Sequence, residues 1–288
     1  MIDADATLRD EAQRLIELAL AEDVGDGDIT TTSTVPRDLR GQATIIAKAE
    51  GVVAGQFVAE MTFAHVDAQV KYCALVADGS PVTKGTTVAL IEGPVASILV
   101  GERTALNFLG RLSGIATLTA RFVQQVAGSN ARILDTRKTT PGLRALEKYA
   151  VRCGGGHNHR FGLFDMFLIK ENHIRACGSL SEAVRRCMQT RKDRPVKIEV
   201  EATTRDEVLE ALAAGVDRIM LDNMSLAMIA ECVRLVAGKV ELEVSGNVSL
   251  DNVAAIAQTG VDLISVGALT HSAPVLDLSL QLRTLGPA

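Results

Sequence analysis

This chain has few aromatic residues and no excess of positive charge. Of its 288 residues 3% are aromatic, none is tryptophan, and the formal net charge is −5 with a pI of about 5.6. Proteins that bind single strands stack bases on aromatic side chains, and a groove for long DNA or RNA needs many cationic groups. The composition therefore argues against nucleic-acid binding.

Paired cysteines and long apolar runs are also missing. The five cysteines, an odd number, stand at positions 73, 153, 177, 187 and 232 without CxxC spacing. This fits a reducing compartment better than a disulfide framework or a zinc site. No apolar run approaches the ~20 residues of a membrane span, and the acidic, amphipathic start MIDADATLRDEAQRL is unlike a signal peptide. We expect a cytoplasmic protein with no membrane segment.

Positive charge is instead concentrated between Asp135 and His173. This segment holds four Arg, three Lys and three of the five His, against two Asp and two Glu. A basic island in an acidic protein indicates a local, anionic ligand rather than a generally basic surface.

The chain changes character near residue 115. Before it, the pattern predicts a helix at about Thr7–Glu22, a Gly- and Asp-rich loop, short β-like pieces, and a long helix that begins near Val100. After it, short apolar runs alternate with amphipathic stretches, and the last four runs begin about 22 residues apart. Helices are predicted at Arg205–Ala214, Ser225–Val236 and Leu250–Gln258. Repeated βα units in series predict a parallel α/β barrel.

Each apolar run ends in a polar residue or a glycine. In a parallel barrel these carboxyl ends open onto one face, where active sites of such barrels lie. A polar strand end also serves solubility, which is the plain alternative for any single position. Six such ends together favour a site, and they are Asp135, Lys170, Glu201, Asp222, Ser245 with Gly246, and Gly267.

The cationic candidates lie in two motifs of the basic island. In DTRKTTPGLR, Arg137 and Lys138 follow a strand directly and precede a helix that Pro141 is expected to start; guanidinium and ammonium groups suit carboxylate or phosphate, and a solvated basic loop is the alternative. In GGGHNHRFGL, three glycines permit close backbone approach, and His159 and Arg160 add donors. A zinc site or a structural histidine is the alternative there, but no Cys or carboxylate has suitable spacing along the chain.

The later strands end in carboxylates and then in small residues. Glu201 and Asp222 could hold ribose hydroxyls or Mg²⁺ through water, or act as general acid and base. Glu199 alternates with Glu201 and is a weaker candidate. The turns SGN at 245–247 and VGA at 266–268 suit phosphate, although a plain tight turn is the alternative for each.

These residues stand in segments that resemble the quinolinate phosphoribosyltransferases. The segments span nearly the whole chain in order: EDVGDGDITT, GERTALNFLGRLSGIAT, LDTRKTTPGLRALEKYAVRCGGGHNHRFGLFDMFLIKENHI, KIEVEATT, MLDNM, EVSGNVSLDNV and SVGALTHS. The resemblance implies an N-terminal α/β sandwich (residues 1–114, with 275–288), an incomplete parallel α/β barrel (115–274) and a C-terminal helix that packs back on the sandwich. It implies transfer of phosphoribose from phosphoribosyl pyrophosphate to quinolinate, giving nicotinate mononucleotide, pyrophosphate and CO₂, with Mg²⁺ required, as a step in NAD synthesis.

The resemblance also assigns roles by motif. Arg137, His159, Arg160 and Lys170 would contact the quinolinate carboxylates, with Lys138 near the pyrophosphate. Glu201 and Asp222 would take ribose hydroxyls and the metal. Together with Lys138 and Lys170 they form the expected catalytic group. The 5′-phosphate cradle would consist of Ser245, Gly246, Asn247, Gly267 and Ala268. Arg103 resembles an arginine that a neighbouring subunit inserts into the site, which implies a dimer at least, or a hexamer.

Three other functions compete with this interpretation. One is a related phosphoribosyltransferase-like protein with another substrate, such as the homologue associated with molybdate uptake. A second is nicotinate phosphoribosyltransferase. The Arg and His cluster, suited to a dianionic acid, favours quinolinate over both. A barrel that has lost catalysis would lack Glu201, Asp222 or Lys170, and all three are present.

Overall fold

The computed structural model describes residues 6–193 and 196–284. In chain order the helices are α1 (Ala6–Val24), α2 (Ile29–Thr34), α3 (Gln56–Val66), α4 (Val95–Gln125), α5 (Arg144–Cys153), α6 (Glu171–Cys177), α7 (Leu180–Arg191), α8 (Arg205–Ala213), α9 (Leu226–Val236), α10 (Val253–Ala257) and α11 (Ala268–His271). The strands are β1 (Arg40–Ala47), β2 (Gly51–Val52), β3 (Lys71–Ala74), β4 (Pro81–Val82), β5 (Thr87–Pro94), β6 (Arg132–Leu134), β7 (Phe167–Ile169), β8 (Ile198–Ala202), β9 (Arg218–Asp222), β10 (Glu241–Ser245), β11 (Leu263–Ser265) and β12 (Leu278–Thr284).

Internal contacts divide the chain into two compact units. The first contains the described residues up to 120, together with 139–155 and those from 269 onward, and the second contains 121–138 and 156–268. The predicted division of the chain at residues 114 and 115 stays a prediction.

The first unit is built on a four-stranded antiparallel sheet in the order β12-β1-β5-β3. Its core contains Ile45, Phe63, Ile91 and Ile98, all almost fully buried. The long helix of this unit is confirmed, but it begins at Val95 rather than near Val100, directly after β5.

The expected C-terminal helix is wrong for the described residues. The segment Leu278–Thr284 is strand β12, and it pairs antiparallel with β1 along seven residue pairs. Its sequence, LSLQLRT, alternates apolar and polar side chains with the period of a strand rather than of a helix. Residues 285–288, the last residues of the C-terminal segment to which that prediction applies, lie outside the described residues.

The second unit is built on a parallel sheet of six strands in the order β6-β11-β10-β9-β8-β7. Neighbours pair in parallel register, for example Ser245 opposite Asp222. Strands β8, β9 and β10 are buried along most of their length, and Glu201, Asp222 and Ser245 near their carboxyl ends are half-buried, as expected for a sheet covered on both faces. With β6 and β7 at opposite ends of the order, the predicted incomplete α/β barrel is confirmed.

Helices connect the parallel strands, and their starts follow the sequence. The side chains of Ser179, Thr204 and Ser225 cap α7, α8 and α9 by accepting a backbone N–H. Helix α5 begins at Arg144 and not at Pro141, because Gly142 has a φ of +82°, outside the helical region. Helix α10 is shorter than predicted, at Val253–Ala257. Of the helices described here, none is both long and apolar enough to span a bilayer.

Candidate active site

A cavity of about 630 Å³ lies at the carboxyl ends of the parallel strands in the second unit. Its volume is in the range of small-molecule sites. Its lining residues come from β7 to β11 and from the loops after β6, β7, β9 and β10. They are Thr136, Arg137, Lys138, His159, Arg160, Leu168, Lys170, Glu201, Met220, Asp222, Asn223, Glu243, Ser245, Gly246, Asn247 and Ser265. Residues from five strands and from these loops therefore meet in one cavity.

The cationic wall of the cavity comes from the basic island. Arg137 and Lys138 lie in the turn after β6, where the Lys138 N–H donates to Thr136 Oγ1 at 3.0 Å. His159 and Arg160 follow the glycines, and Lys170 directly follows β7. The structure thus brings five predicted cationic residues together, although they span 34 positions of sequence.

Asp135 holds the loop that carries His159. The fully buried Asp135 carboxylate accepts the His159 N–H at 2.9 Å and the Asn158 amide at 2.5 Å. The loop also pairs with β6, since the His157 N–H donates to the Ile133 carbonyl at 2.8 Å. Asp135 was grouped with the strand ends that open onto the site, but it does not line the cavity. It acts below the surface as a support for the loop.

The two arginines of this wall repel each other. Burial lowers the pKa of Arg160 from its usual range, and the charge of Arg137 lowers it further. Arg160 donates through NH1 to the Met166 carbonyl at 3.2 Å, and its buried Nε has no partner among the described residues. Half-buried cations held against their own repulsion make a strong site for an anion.

The opposite wall carries the carboxylates. Glu201 accepts the Lys170 ammonium at 2.6 Å, and Asp222 accepts the Asn223 amide at 2.8 Å. Burial, followed by the charge of Glu201, raises the pKa of Asp222 above its usual value. Two neighbouring carboxylates of this kind suit hydroxyl donors or a hard cation.

The turn after β10 is shaped for an anion. Gly246 has a φ of +98° and Asn247 a φ of +50°, so successive backbone N–H groups curl in the manner of an anion-binding nest. A Cβ on Gly246 would lie 2.2 Å from Asn223 Oδ1, a distance that excludes any larger residue. The Asn247 amide donates to the same oxygen at 3.1 Å, which fixes the turn beside Asp222.

Besides Asp135, three of the predicted site residues are not in the lining of this cavity. Gly267 and Ala268 follow β11, one turn away from the lining residue Ser265 along the chain. Arg103 lies in α4 of the first unit, with an exposed side chain. The roles of Gly267, Ala268 and Arg103 therefore stay predictions.

Sequence reasoning missed several lining residues, of which Glu243 is the most consequential. It stands two positions before Ser245 on β10, so the alternation of a strand directs both side chains to the same face. The same alternation relates Glu199 to Glu201, so the sequence pattern alone could have identified Glu243 as a candidate. Glu199 itself is fully buried and is not among the lining residues.

Carboxylates do approach a histidine of the HNH motif. Ligand atoms of His159, Glu199 and Glu243 lie within 4.8 Å of one another; both carboxylates come from strands far from the motif, so spacing along the chain could not reveal them. The Arg160 N–H donates to His159 Nδ1 at 2.7 Å, so the ring proton belongs on Nε2. Arg218 NH1 also lies 3.2 Å from Glu243 Oε2. A protonated Nε2 and an adjacent guanidinium oppose a metal ion here.

Comparison with known proteins identifies a family for the chain. The family model described as "Quinolinate phosphoribosyl transferase, N-terminal domain" matches residues 28–113, and that of the C-terminal domain matches residues 115–281. Among curated relatives, "Quinolinate phosphoribosyltransferase [decarboxylating] 1b" of Nicotiana tabacum is 46% identical over 94% of this chain and 82% of its own length. The "Probable nicotinate-nucleotide pyrophosphorylase [carboxylating]" of Bacillus subtilis is 43% identical over 94% of this chain and 93% of its own.

Solved structures agree as well. The nicotinate-nucleotide pyrophosphorylase from Francisella tularensis superposes with a TM-score of 0.90 at 43% identity, over 95% of this chain and 96% of that one. The corresponding protein from Ehrlichia chaffeensis gives a TM-score of 0.88 at 42% identity, over 94% and 98%. With both family models matched across residues 28–281 and relatives this similar over nearly the full length, the chain belongs to the quinolinate phosphoribosyltransferase family.

Proposed function

We propose that this protein transfers phosphoribose from phosphoribosyl pyrophosphate to quinolinate, forming nicotinate mononucleotide, pyrophosphate and CO₂ in the synthesis of NAD. The observation that carries the proposal is the division of one cavity into a cationic wall and a wall of carboxylates with an anion-binding turn. A planar dicarboxylic acid fits the first wall, and a phosphorylated sugar fits the second.

Quinolinate would be held by its two carboxylates. Arg137, Arg160 and Lys170 line the wall that would receive them, and the loop bearing His159 is fixed by Asp135. Clamping both carboxylates fixes the ring nitrogen for in-line attack on the sugar, which converts binding energy into orientation. Lys138, with an exposed side chain at the same wall, would meet the departing pyrophosphate.

The sugar would lie along the other wall. Glu201 and Asp222 would accept the ribose hydroxyls, and their charge favours the cationic character that the sugar develops as pyrophosphate leaves. The turn Ser245–Gly246–Asn247 would hold the 5′-phosphate, with Gly267 and Ala268 after the next strand completing the cradle, as is common beyond the last strands of such barrels.

Mg²⁺ is part of the proposal. Glu201 and Asp222 offer the hard oxygen ligands that it prefers, and the raised pKa of Asp222, which has the charge of Glu201 among its causes, indicates a place that a cation would relieve. Bound there or through the substrate, it would neutralise charge on the pyrophosphate.

A second copy of the chain is also part of the proposal. Arg103 has an exposed side chain on α4, so it is available to enter the site of a neighbouring subunit in a dimer or hexamer. The five free cysteines support the reducing interior of the cytoplasm as its location.

A direct turnover assay tests the proposed function. Purified protein is incubated with quinolinate, phosphoribosyl pyrophosphate and Mg²⁺, and nicotinate mononucleotide is measured by chromatography. We expect product that is lost when a chelator removes the metal and restored when Mg²⁺ is added back. Turnover of nicotinate with none of quinolinate would overturn the proposal.

A further inference from the structure

Glu243 is a buried acid at the floor of the cavity. It lies on β10 with no exposed surface, yet it lines the cavity together with Ser245 on the same strand. Its Oε1 has no hydrogen-bond partner among the residues described, while Oε2 faces the guanidinium of Arg218 at 3.2 Å. A buried oxygen without a partner is costly unless a ligand or a proton satisfies it.

The groups packed around Glu243 come from four directions. They are Arg218 on β9, Glu199 on β8, Ser265 on β11 and His159 on the loop after the glycines, whose Nε2 lies 3.5 Å from Glu243 Oε2. Burial and the charge of Glu199 raise the pKa of Glu243 to about 8, although His159 and Arg218 act in the other direction. Burial therefore favours the protonated carboxylic acid at this position over the carboxylate.

His159 cannot play the same part. Its Nδ1 accepts the Arg160 N–H, and its Nε2 lies 3.1 Å from Glu199. Nδ1 is occupied by that N–H, and Nε2 lies close to two buried carboxylates, those of Glu199 and Glu243, so the ring is surrounded by groups of the protein itself. Lys170 already binds Glu201 at 2.6 Å, and the arginines of the cavity suit the binding of anions.

We propose that Glu243 is the acid that delivers the proton replacing the lost carboxylate, an inference that rests on the proposed function. When the ring carbon–carboxylate bond breaks, CO₂ leaves and the electron pair stays on the ring carbon beside the alkylated nitrogen. The Glu243 O–H then gives its proton to that carbon, forming the C–H bond of the product. Glu243 is left as a carboxylate facing Arg218, and water reprotonates it after the product departs.

The electrostatics of the site favour this assignment. Quinolinate brings two negative charges to the neighbouring wall, and an ionised Glu243 would repel them at short range in a medium that screens poorly. A neutral acid does not, and it becomes ionised only after one carboxylate has left as CO₂. Proton transfer from Glu243 to the ring carbon is thus coupled to the loss of the negative carboxylate charge near Glu243.

The test compares Glu243→Gln with Glu241→Gln. Both residues lie on β10 and both bind Arg218, Glu241 through Oε2 at 3.2 Å, but Glu241 does not line the cavity. In a single turnover we expect Glu243→Gln to lower the rate of nicotinate mononucleotide formation by about 100-fold or more, the usual weight of a general acid, with quinolinate affinity changed less than threefold. The wild-type rate should fall as pH rises past about 8, and Glu241→Gln should keep that fall.

Glu243→Asp guards against a folding defect in the first variant. It keeps an acid and should retain the pH dependence at a reduced rate. Infrared spectroscopy of the free wild-type protein should reveal a carboxylic acid at pH 7 that is missing from Glu243→Gln. A Glu243→Gln rate within threefold of wild type, or an unchanged pH profile, would overturn the inference. If the wild type itself makes no nicotinate mononucleotide, the proposed function has failed instead.

Discussion

The ammonium nitrogen of Lys170 lies 2.6 Å from Glu201 Oε2, across the adjacent strands β7 and β8. Lys170 is about half exposed, and an ion pair of this kind contributes little to stability, roughly 0–1 kcal/mol. Lys170 can therefore exchange the Glu201 carboxylate for a carboxylate of a ligand with little loss of stability. The pair joins the cationic wall to the carboxylate wall, and quinolinate would draw Lys170 away from Glu201 while freeing Glu201 for the sugar.

Lys170→Ala should reduce quinolinate affinity with little effect on folding. Lys197→Ala is a matched control, because Lys197 is similarly exposed and its Nζ lies 2.8 Å from Glu241, away from the cavity. Thermal unfolding should change by less than about 1 kcal/mol in both, while calorimetry should find tenfold or weaker quinolinate binding in the first alone. Equal affinities in the two variants would mean that Lys170 does not hold the acid.

Arg137→Ala should separate the two walls. Removing one partner of a desolvated charge pair costs roughly 2 kcal/mol or more, so quinolinate should bind at least about 30-fold more weakly. Binding of phosphoribosyl pyrophosphate should change much less. Arg132→Ala, at the other end of β6 and paired with Glu241, should leave both unchanged. Similar losses for both ligands in Arg137→Ala would refute the division of the cavity.

Gly246→Ala should damage the phosphate cradle. Its φ of +98° strains any side chain, and the new Cβ would collide with Asn223. Gly238→Ala has comparable backbone strain, at φ +74°, but meets open space. Both should lose about 1 kcal/mol of stability or more, whereas the KM for phosphoribosyl pyrophosphate should rise at least tenfold in Gly246→Ala alone. An unchanged KM there would place the phosphate elsewhere.

Asp135→Ala should destabilise the protein and weaken quinolinate binding together. The buried carboxylate accepts from Asn158 and from the His159 backbone, and a buried donor left without its acceptor costs about 1–3 kcal/mol. Denaturant unfolding should report a loss of that size or larger. Asp251→Ala, at an exposed position, should stay within about 0.5 kcal/mol of wild type, and a similar result for Asp135→Ala would count against its supporting role.

Stability should depend on pH through Glu243. Its folded pKa is raised to about 8, well above the roughly 4.3 of a free glutamate, so the folded state binds a proton that the unfolded state has released. Stability from this group is present at low pH and is lost as pH rises from about 4.3 to 8. The melting temperature should therefore fall between pH 5.5 and 8.5, and the fall should be smaller in Glu243→Gln. An equal fall in both would assign it to another group.

The strand rhythm made most of the barrel predictable. Glu201, Asp222 and Ser245 end strands of the period expected, so their convergence at one edge followed from parallel pairing. The sequence did not indicate which of these residues would be buried. Asp135 also ends an apolar run, but it points into the protein and holds a loop. Sequence gives the end of a strand and not the side to which its last residue turns.

Contacts between residues far apart in the sequence could not be predicted from it either. Glu199, Glu243 and Arg218 are far apart in sequence, and their cluster around His159 depends on the order β10-β9-β8 of the folded sheet. The predicted C-terminal helix is wrong for a different reason, because it is implied only by the resemblance, whereas the alternation in LSLQLRT indicates a strand.

Counting CO₂ against product tests the central claim most directly. Quinolinate labelled in the carboxyl group next to the ring nitrogen is offered with an equal amount of nicotinate, phosphoribosyl pyrophosphate and Mg²⁺, and labelled CO₂ and nicotinate mononucleotide are measured together. If the cationic wall selects the dicarboxylic acid, each nicotinate mononucleotide should come with one CO₂. Product without CO₂ would show that the wall accepts the monocarboxylic acid, and would contradict the account.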